Sequence, residues 1–272
     1  MDLGDVLNEA LNQITSKTVM PTSLSSAEIK QQVTAGLLRQ SLFSARTTVK
    51  PYLDSMQSAL ASIVQPTEEA RPDRATPENP QGLTTVGLNP ATMRTQLRQL
   101  LVDVHGYTPT PEEKGTITDL SSDKRLSLVI KTNTELAQGA GAFVQANANP
   151  DRVDLWPAQE LYRIETRKDP RDWPHRWMIA AQTAGDANAA GALQRTGRMV
   201  ALKSSGIWDA LGEGAGGYLD TLGNPYAPFA FNSGMWTREV NRKDAEAMGL
   251  LDAGAKAEPA DFDWATLFKA AA

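Results

Sequence analysis

Asp123-Lys-Arg-Leu-Ser-Leu-Val-Ile-Lys-Thr-Asn-Thr-Glu-Leu-Ala-Gln-Gly-Ala-Gly-Ala-Phe143 is the stretch on which the fold turns. Leu126, Val129, Ile130, Leu136, Ala137, Ala140 and Phe143 lie on one face of an α-helix of about six turns. Gly139 and Gly141 near its end either weaken the helix or let another backbone approach closely, and Pro150 lies beyond it. A helix this long with one apolar face needs a partner layer to cover it.

Upstream, helical patterning supplies that layer. In Ser25-Ser26-Ala27-Glu28 a serine hydroxyl and a carboxylate three residues on satisfy each other's orphan N–H groups, so a helix starts there, and Ile29, Val33 and Leu37 continue its stripe. Tyr52, Leu53, Met56, Leu60, Ile63 and Val64 form a second stripe. Pro51 fits either the first turn of that helix or a kink within a longer one. Between Gln65 and Pro90, Pro66, Pro72, Pro77, Pro80 and Pro90 punctuate polar residues, the composition of a semi-extended linker or arm. A short helix follows from Ala91 to His105, and a turn starts at Thr110-Pro111-Glu112-Glu113.

Downstream the patterning changes. Leu161-Tyr-Arg-Ile-Glu-Thr166 and Arg198-Met-Val-Ala-Leu-Lys203 alternate as strands do and predict a small hairpin or sheet. All six tryptophans, Trp156, Trp173, Trp177, Trp208, Trp236 and Trp264, fall in this half. Each indole buries some 200 Å², roughly 5 kcal/mol of gross transfer energy before entropy is counted. The small residues from Gln182 to Gly191 predict an inserted surface loop. The expected class is therefore α+β: a predominantly helical N-terminal half, and a C-terminal half of short strands and long loops around a Trp-rich core. The expected divisions are a helical region over 1–64, a linker or arm over 65–90, a helical region over 91–150, a mixed region over 151–250 and a tail over 251–272.

A chain of 272 residues with 41% hydrophobic side chains buries a substantial core. A net charge of −5 gives no overall cationic excess for a phosphate backbone. The absence of cysteine excludes disulfides, thiolate metal sites and thiol nucleophiles. Met1-Asp-Leu-Gly-Asp-Val-Leu-Asn-Glu9 carries acids where a signal peptide needs a basic flank, and no apolar run reaches the ~20 residues of a membrane span. Cytoplasmic synthesis and no membrane partner are expected.

No cluster of reactive residues stands out, and no catalytic residue, cofactor or metal is assigned. His105 reads as a helix C-terminal cation before Gly106, and His175 as interface or core. Glu160, Glu165 and Asp169 could be paired carboxylates for hydrolysis, but Arg163, Arg167, Lys168 and Arg171 flank the last two, so a salt-bridged surface is expected. Gly212-Glu-Gly-Ala-Gly-Gly217 lacks the lysine and hydroxyl of a phosphate-binding loop and reads as a flexible loop. Ser204 and Ser205 have no glycine elbow. Arg163, Arg167, Lys168, Arg171, Trp173 and Trp177 interleave cations with aromatics, as in a protein interface or a nucleic-acid grip, provided that they are exposed.

Four blocks, spread over Arg125 to Met235, resemble those of the phage Mu F-like minor head protein family. The first is Lys131-Thr132-Asn133-Thr134-Glu135-Leu136-Ala137-Gln138-Gly139. The second is Leu161-Tyr162-Arg163-Ile164 leading into Asp169-Pro170-Arg171. Gly197-Arg198-Met199-Val200, with Ile207-Trp208 after it, is the third. Pro225-Tyr226-Ala227-Pro228-Phe229-Ala230-Phe231-Asn232 is the fourth. Two departures limit what is carried over. Ser233-Gly234-Met235 stands where the family commonly has Cys-Arg-Cys, and Arg176 takes the position of an expected histidine, with His175 just before it. No metal site is therefore transferred. The resemblance implies a non-enzymatic minor capsid component of a tailed bacteriophage, in the virion head or neck and in the host cytoplasm during assembly, contacting portal, major capsid or neck proteins in a symmetric assembly. DNA is the alternative partner, as for a DNA-binding or ejected internal head protein; a toxin-like enzyme is the remaining reading.

Overall fold

The computed structural model describes residues 10–64, 76–77, 80 and 89–262, together with the backbone of 67–70 and 83–86. Trp264 and the end of the tail lie outside the described residues. The fold is α+β. Helices predominate, and the described strands form three small sheets.

The N-terminal half begins with a helix described over 10–15 (α1), followed by β1 (Thr18–Val19), α2 (Ser26–Gln32), α3 (Ala35–Gln40), β2 (Ser41–Leu42) and α4 (Lys50–Val64). The capping box forms as expected: Ser25 Oγ accepts from Glu28 N, and Glu28 Oε2 accepts from Ser25 N. The apolar stripe does not make one helix, however. Val33 turns extended at ψ 123°, and Thr34 accepts from Leu37 N to cap a new helix, so Ile29 and Leu37 sit on separate helices. The four-residue spacing outlasts the helix because local capping interrupts the backbone without shifting the apolar positions. Pro51 occupies the first turn of α4, where its missing N–H leaves no bond unmade.

Within the expected linker, β3 (Thr67–Ala70) and β4 (Leu83–Val86) pair antiparallel, so this part is a hairpin rather than unpaired chain. Both strands avoid the prolines, which lie between or outside them. α5 (Pro90–Gln99) continues as a π-helical stretch over Leu100–Val104 and ends at His105, with Gly106 in the left-handed region. α6 (Asp123–Asn147) is the long helix, and its entire expected apolar face is buried. It packs with α4 and α5 around Tyr52, Leu53, Met56, Leu60, Met93 and Leu97.

In the C-terminal half, α7 (Pro150–Leu155) leads into β5 (Ala158–Arg163), the centre of a sheet with β6 (Met199–Leu202) and β7 (Met235–Val240) on its two sides, both antiparallel to it. The third strand, absent from the expectations above, does carry a sequence signal: Met235-Trp-Thr-Arg-Glu-Val240 buries its ends and has β-formers between. α8 (Trp173–Ala184), α9 (Ala187–Thr196) and α10 (Ile207–Glu213) pack beside the sheet, and α11 (Arg242–Ala247) follows β7. The expected surface loop over 182–191 is instead a helix junction. Gly185 ends α8 at φ +68°, Asp186 accepts from Ala189 N, and α9 begins. Alanine is the strongest helix former, and its small side chain lets Trp177 reach the backbone, donating from Nε1 to Ala189 O at 3.3 Å.

The two halves meet backbone to backbone. A Cβ on Gly139 would lie 1.8 Å from Ala227 O, and one on Gly223 2.1 Å from Ala35 O. Of the two alternatives for Gly139, the close approach is the one realised. Arg39 Nη1 donates to Gly223 O across the same junction. The start of the tail is anchored, with Ala257 N donating to Asp154 Oδ1 and Ala260 N to Asn147 Oδ1.

Candidate functional site

The four sequence blocks, separated along the chain, touch one another in space. Gly139 of the first lies against Ala227 of the fourth, and Lys131 of the first pairs with Glu165 in the segment joining the two parts of the second. Leu161 of the second faces Met199 of the third across β5 and β6. Trp208, which follows the third, stacks on Phe229 of the fourth with ring centroids 5.8 Å apart and meets Trp177 edge-on at 5.4 Å. Arg171 of the second donates to Phe231 O at 2.7 Å and Asn232 O at 3.3 Å. Asn232 adopts φ +50°, a left-handed conformation that asparagine tolerates better than most residues. Gly197 ends α9 in the same region at φ +72°.

The remaining motif residues have local structural work. Asn133 Nδ2 donates to Val129 O one turn back on α6, beside Thr132. Pro228 O accepts from Asn224 Nδ2, which closes the turn that Pro225 opens. Asp169 is exposed.

The expected interface residues separate into two groups. Trp173 and Trp177 are 2% and 0% exposed, so they belong to the core and offer no surface. Their position in α8, whose first turn is capped by Asp172, turns the apolar face inward. His175, expected at an interface or in the core, is exposed on the opposite face, so core is excluded. Of the cations, Arg167, Lys168 and Arg171 line one surface depression of about 290 Å³ with Asp169 and Asn232. Arg171 is held by Asp220 at 2.7 Å, and Arg167 by Glu165 at 2.6 Å. Arg163 and Lys168 are exposed and meet no carboxylate among the described residues. Arg163 adjoins Ile164, an exposed large apolar residue.

The carboxylates considered for hydrolysis are engaged elsewhere. Burial would raise the Glu160 carboxyl, but hydrogen bonds from Arg198 at 2.6 Å and Arg238 outweigh it and hold the pKa below its ordinary value. Glu165 is also held low, chiefly by the hydrogen bond from Lys131. Groups kept ionised by arginine and lysine are poor proton donors at neutral pH. The glycine cluster is not a free loop either. Gly212 is buried within α10, where a Cβ would meet Asn224 O at 1.9 Å, and Gly214 ends that helix at φ +81°. Ser205 Oγ donates to Asp186 Oδ2 and accepts from Ile207 N, tying the start of α10 to the start of α9.

Among the described residues no group of three or more His, Asp or Glu is placed to hold a metal ion, and no helix is long and apolar enough to cross a membrane. Sequence reasoning does not find Lys17, a buried cation without a counter-ion among the described residues, or Ser41, whose buried Oγ has no partner there. No motif surrounds either, so nothing in the sequence marks them. Comparison with protein-family models, with curated proteins and with solved structures gave no match to this chain.

Proposed function

We propose that this chain is a structural protein of a tailed-bacteriophage head, acting in head or portal-neck assembly through protein contacts rather than catalysis. The observation that carries the reading is the mutual contact of the four blocks through Gly139–Ala227, Leu161–Met199, Trp208–Phe229 and Arg171–Phe231. Motif residues that interlock to position one another fit a scaffold, and those that also line a hollow, Leu136, Arg171 and Phe231 included, do so with no His, Asp or Glu beside them among the described lining residues. Exposed Leu155, Trp156 and Ile164, with Arg163 and Lys168, supply the apolar and cationic side chains that subunit interfaces favour.

DNA binding has less support. Only Arg163 and Lys168 of the four expected cations lack a carboxylate partner among the described residues, and Asp169 shares the depression that Lys168 lines. Two unpaired cations in this patch, on a chain of net charge −5, neutralise few phosphates.

Mass spectrometry of purified particles tests the proposal. The chain is expected at low or symmetric copy number, and Arg163→Glu with Lys168→Glu is expected to reduce its incorporation while the purified chain keeps its melting temperature. Recovery only from the soluble lysate, with none in particles, would overturn the reading.

A further inference from the structure

A cavity of about 310 Å³ lies where the two halves meet, walled by α2, β2, α6 and the Phe231-Asn232 turn. Its size is at the lower end of small-molecule sites. The charged residues that line it are Lys17, Lys30, Arg125 and Arg171, with no Asp or Glu among its described lining residues. Asp220 neutralises Arg171 from outside the wall. A chain that is acidic overall has thus gathered cations around one hollow.

Two of the lining residues carry buried polar atoms without a partner among the described residues, and a third, Lys17, is a buried cation without a counter-ion there. Lys17, 7% exposed, has no hydrogen-bond or ion-pair partner for its ammonium among the described residues. Ser41 Oγ is buried without a partner. Arg125 donates from Nη2 to Ser44 Oγ at 2.8 Å and Ala45 O at 2.9 Å, but among the described residues its Nε is unpartnered and no carboxylate balances its charge. The parallel pairing of β1 with β2 sets Thr18 beside Ser41, which brings Lys17 and Ser41 to the same wall. Buried polar groups are nearly always satisfied in native proteins, and a buried charge without a counter-ion is the costliest exception. Between the cations the walls are apolar, with Ile29, Phe43, Leu128, Leu136 and Phe231 facing the space.

We infer that this cavity binds a small amphiphilic anion, its carboxylate or phosphate head meeting Lys17 and Ser41 and its apolar body lying along Ile29, Phe43 and Leu136. The head supplies the missing counter-charge and acceptor, and the body displaces water from the apolar wall. Burial holds the Lys17 ammonium at a pKa of about 8, so it remains mostly charged at neutral pH, and an anion beside it would raise that value. This inference holds whether or not the chain resides in a particle.

Calorimetric titration of the full chain with octanoate, octyl phosphate, octanol and octyltrimethylammonium tests it. Octanoate or octyl phosphate is expected to bind at least ten-fold tighter than octanol, the stronger of the two identifying the head, and the cation is expected not to bind. Lys17→Met is expected to weaken anion binding at least ten-fold while leaving octanol unchanged and the melting temperature no lower. Should that variant fail to fold, Ser41→Val gives a second reading through the loss of one donor. Equal affinity for octanol, no anion binding to the parent chain, as for a cavity that only holds water, or undiminished anion binding by the folded variant would overturn the inference.

Discussion

In the C-terminal half the ammonium of Lys203, a residue 2% exposed, donates to Glu239 Oε1 at 2.7 Å and to Ala146 O at 2.9 Å, whereas in the N-terminal half Lys17 is buried with neither kind of acceptor among the described residues. The same contrast extends to their surroundings. Around the C-terminal sheet, Glu160 is matched by Arg198 and Arg238, and Glu239 by Arg152 and Lys203. Around the N-terminal cavity, Ser41 Oγ and Arg125 Nε lack partners. The buried charges around the sheet have their counter-charges, whereas Lys17 and Arg125 beside the cavity have none among the described residues, although the C-terminal half too leaves Trp173 Nε1 and Arg167 Nε unpartnered.

The cores differ in kind as well. Trp173, Trp177, Trp208 and Phe229 wall the C-terminal core, while leucine, methionine and alanine fill most of the core between α4, α5 and α6. Large rings leave few alternative packings and hold the blocks in register.

Removing the Trp177 ring should break the C-terminal core first. Trp177→Ala is expected to cost about 3–5 kcal/mol in urea unfolding, from lost burial and the cavity left beside Trp208 and Ala189. A cost below about 1 kcal/mol would mean that the rings do not hold this core.

Breaking one charge pair comes next. Glu239→Gln leaves the Lys203 ammonium buried without its counter-ion and is expected to cost about 3 kcal/mol. That value is at the low end for a buried pair because the Glu239 side chain keeps 24% of its surface in solvent. The Glu239 carboxyl is held below its ordinary value: burial would raise it, but hydrogen bonds from Lys203 and Arg152 prevail. Its contribution is therefore present at neutral pH and lost as the medium is acidified through that lowered pKa, and the substitution should remove this part of the acid sensitivity.

Lys17→Met should do the opposite and stabilise the chain by about 3 kcal/mol at neutral pH, since the shift from 10.5 to about 8 is roughly 2.5 units at 1.36 kcal/mol each. The sign follows from proton uptake. Between about pH 8 and 10.5 the unfolded chain binds a proton that folded Lys17 has released, so the parent gains stability as pH rises through that window. The difference between parent and variant curves isolates Lys17 from Lys30, and the two arginines of the cavity stay charged throughout. A variant that is less stable at every pH would erase the contrast between the two lysines.

The smallest expected effect is at the edge of the cavity. Ser25→Ala removes the reciprocal cap of α2 and is expected to cost about 1 kcal/mol, measured as a shift in urea midpoint with an unchanged slope. Because Ile29 and Lys30 on α2 line the hollow, octanoate binding should weaken slightly in parallel.

Local patterning by itself determined much of this molecule. The apolar face of α6, the cap at Ser25, strand β6 and the α+β class follow from residue spacing, backbone propensity and short-range hydrogen bonds, which act within a few residues, whereas β5 runs from Ala158 to Arg163, three residues upstream of the expected Leu161 to Thr166. Where two local signals compete, spacing alone misleads, as at Val33, where a cap splits the stripe, and at Gln182 to Gly191, where alanine makes a helix of an apparent loop. Only the tertiary structure decided that Trp173 and Trp177 face inward, that Gly139 meets Ala227, and that Lys17 and Ser41 share a wall with Arg125. Burial and counter-charge are properties of neighbours brought together by the packed chain, and those neighbours lie far apart in sequence, beyond the reach of any local signal.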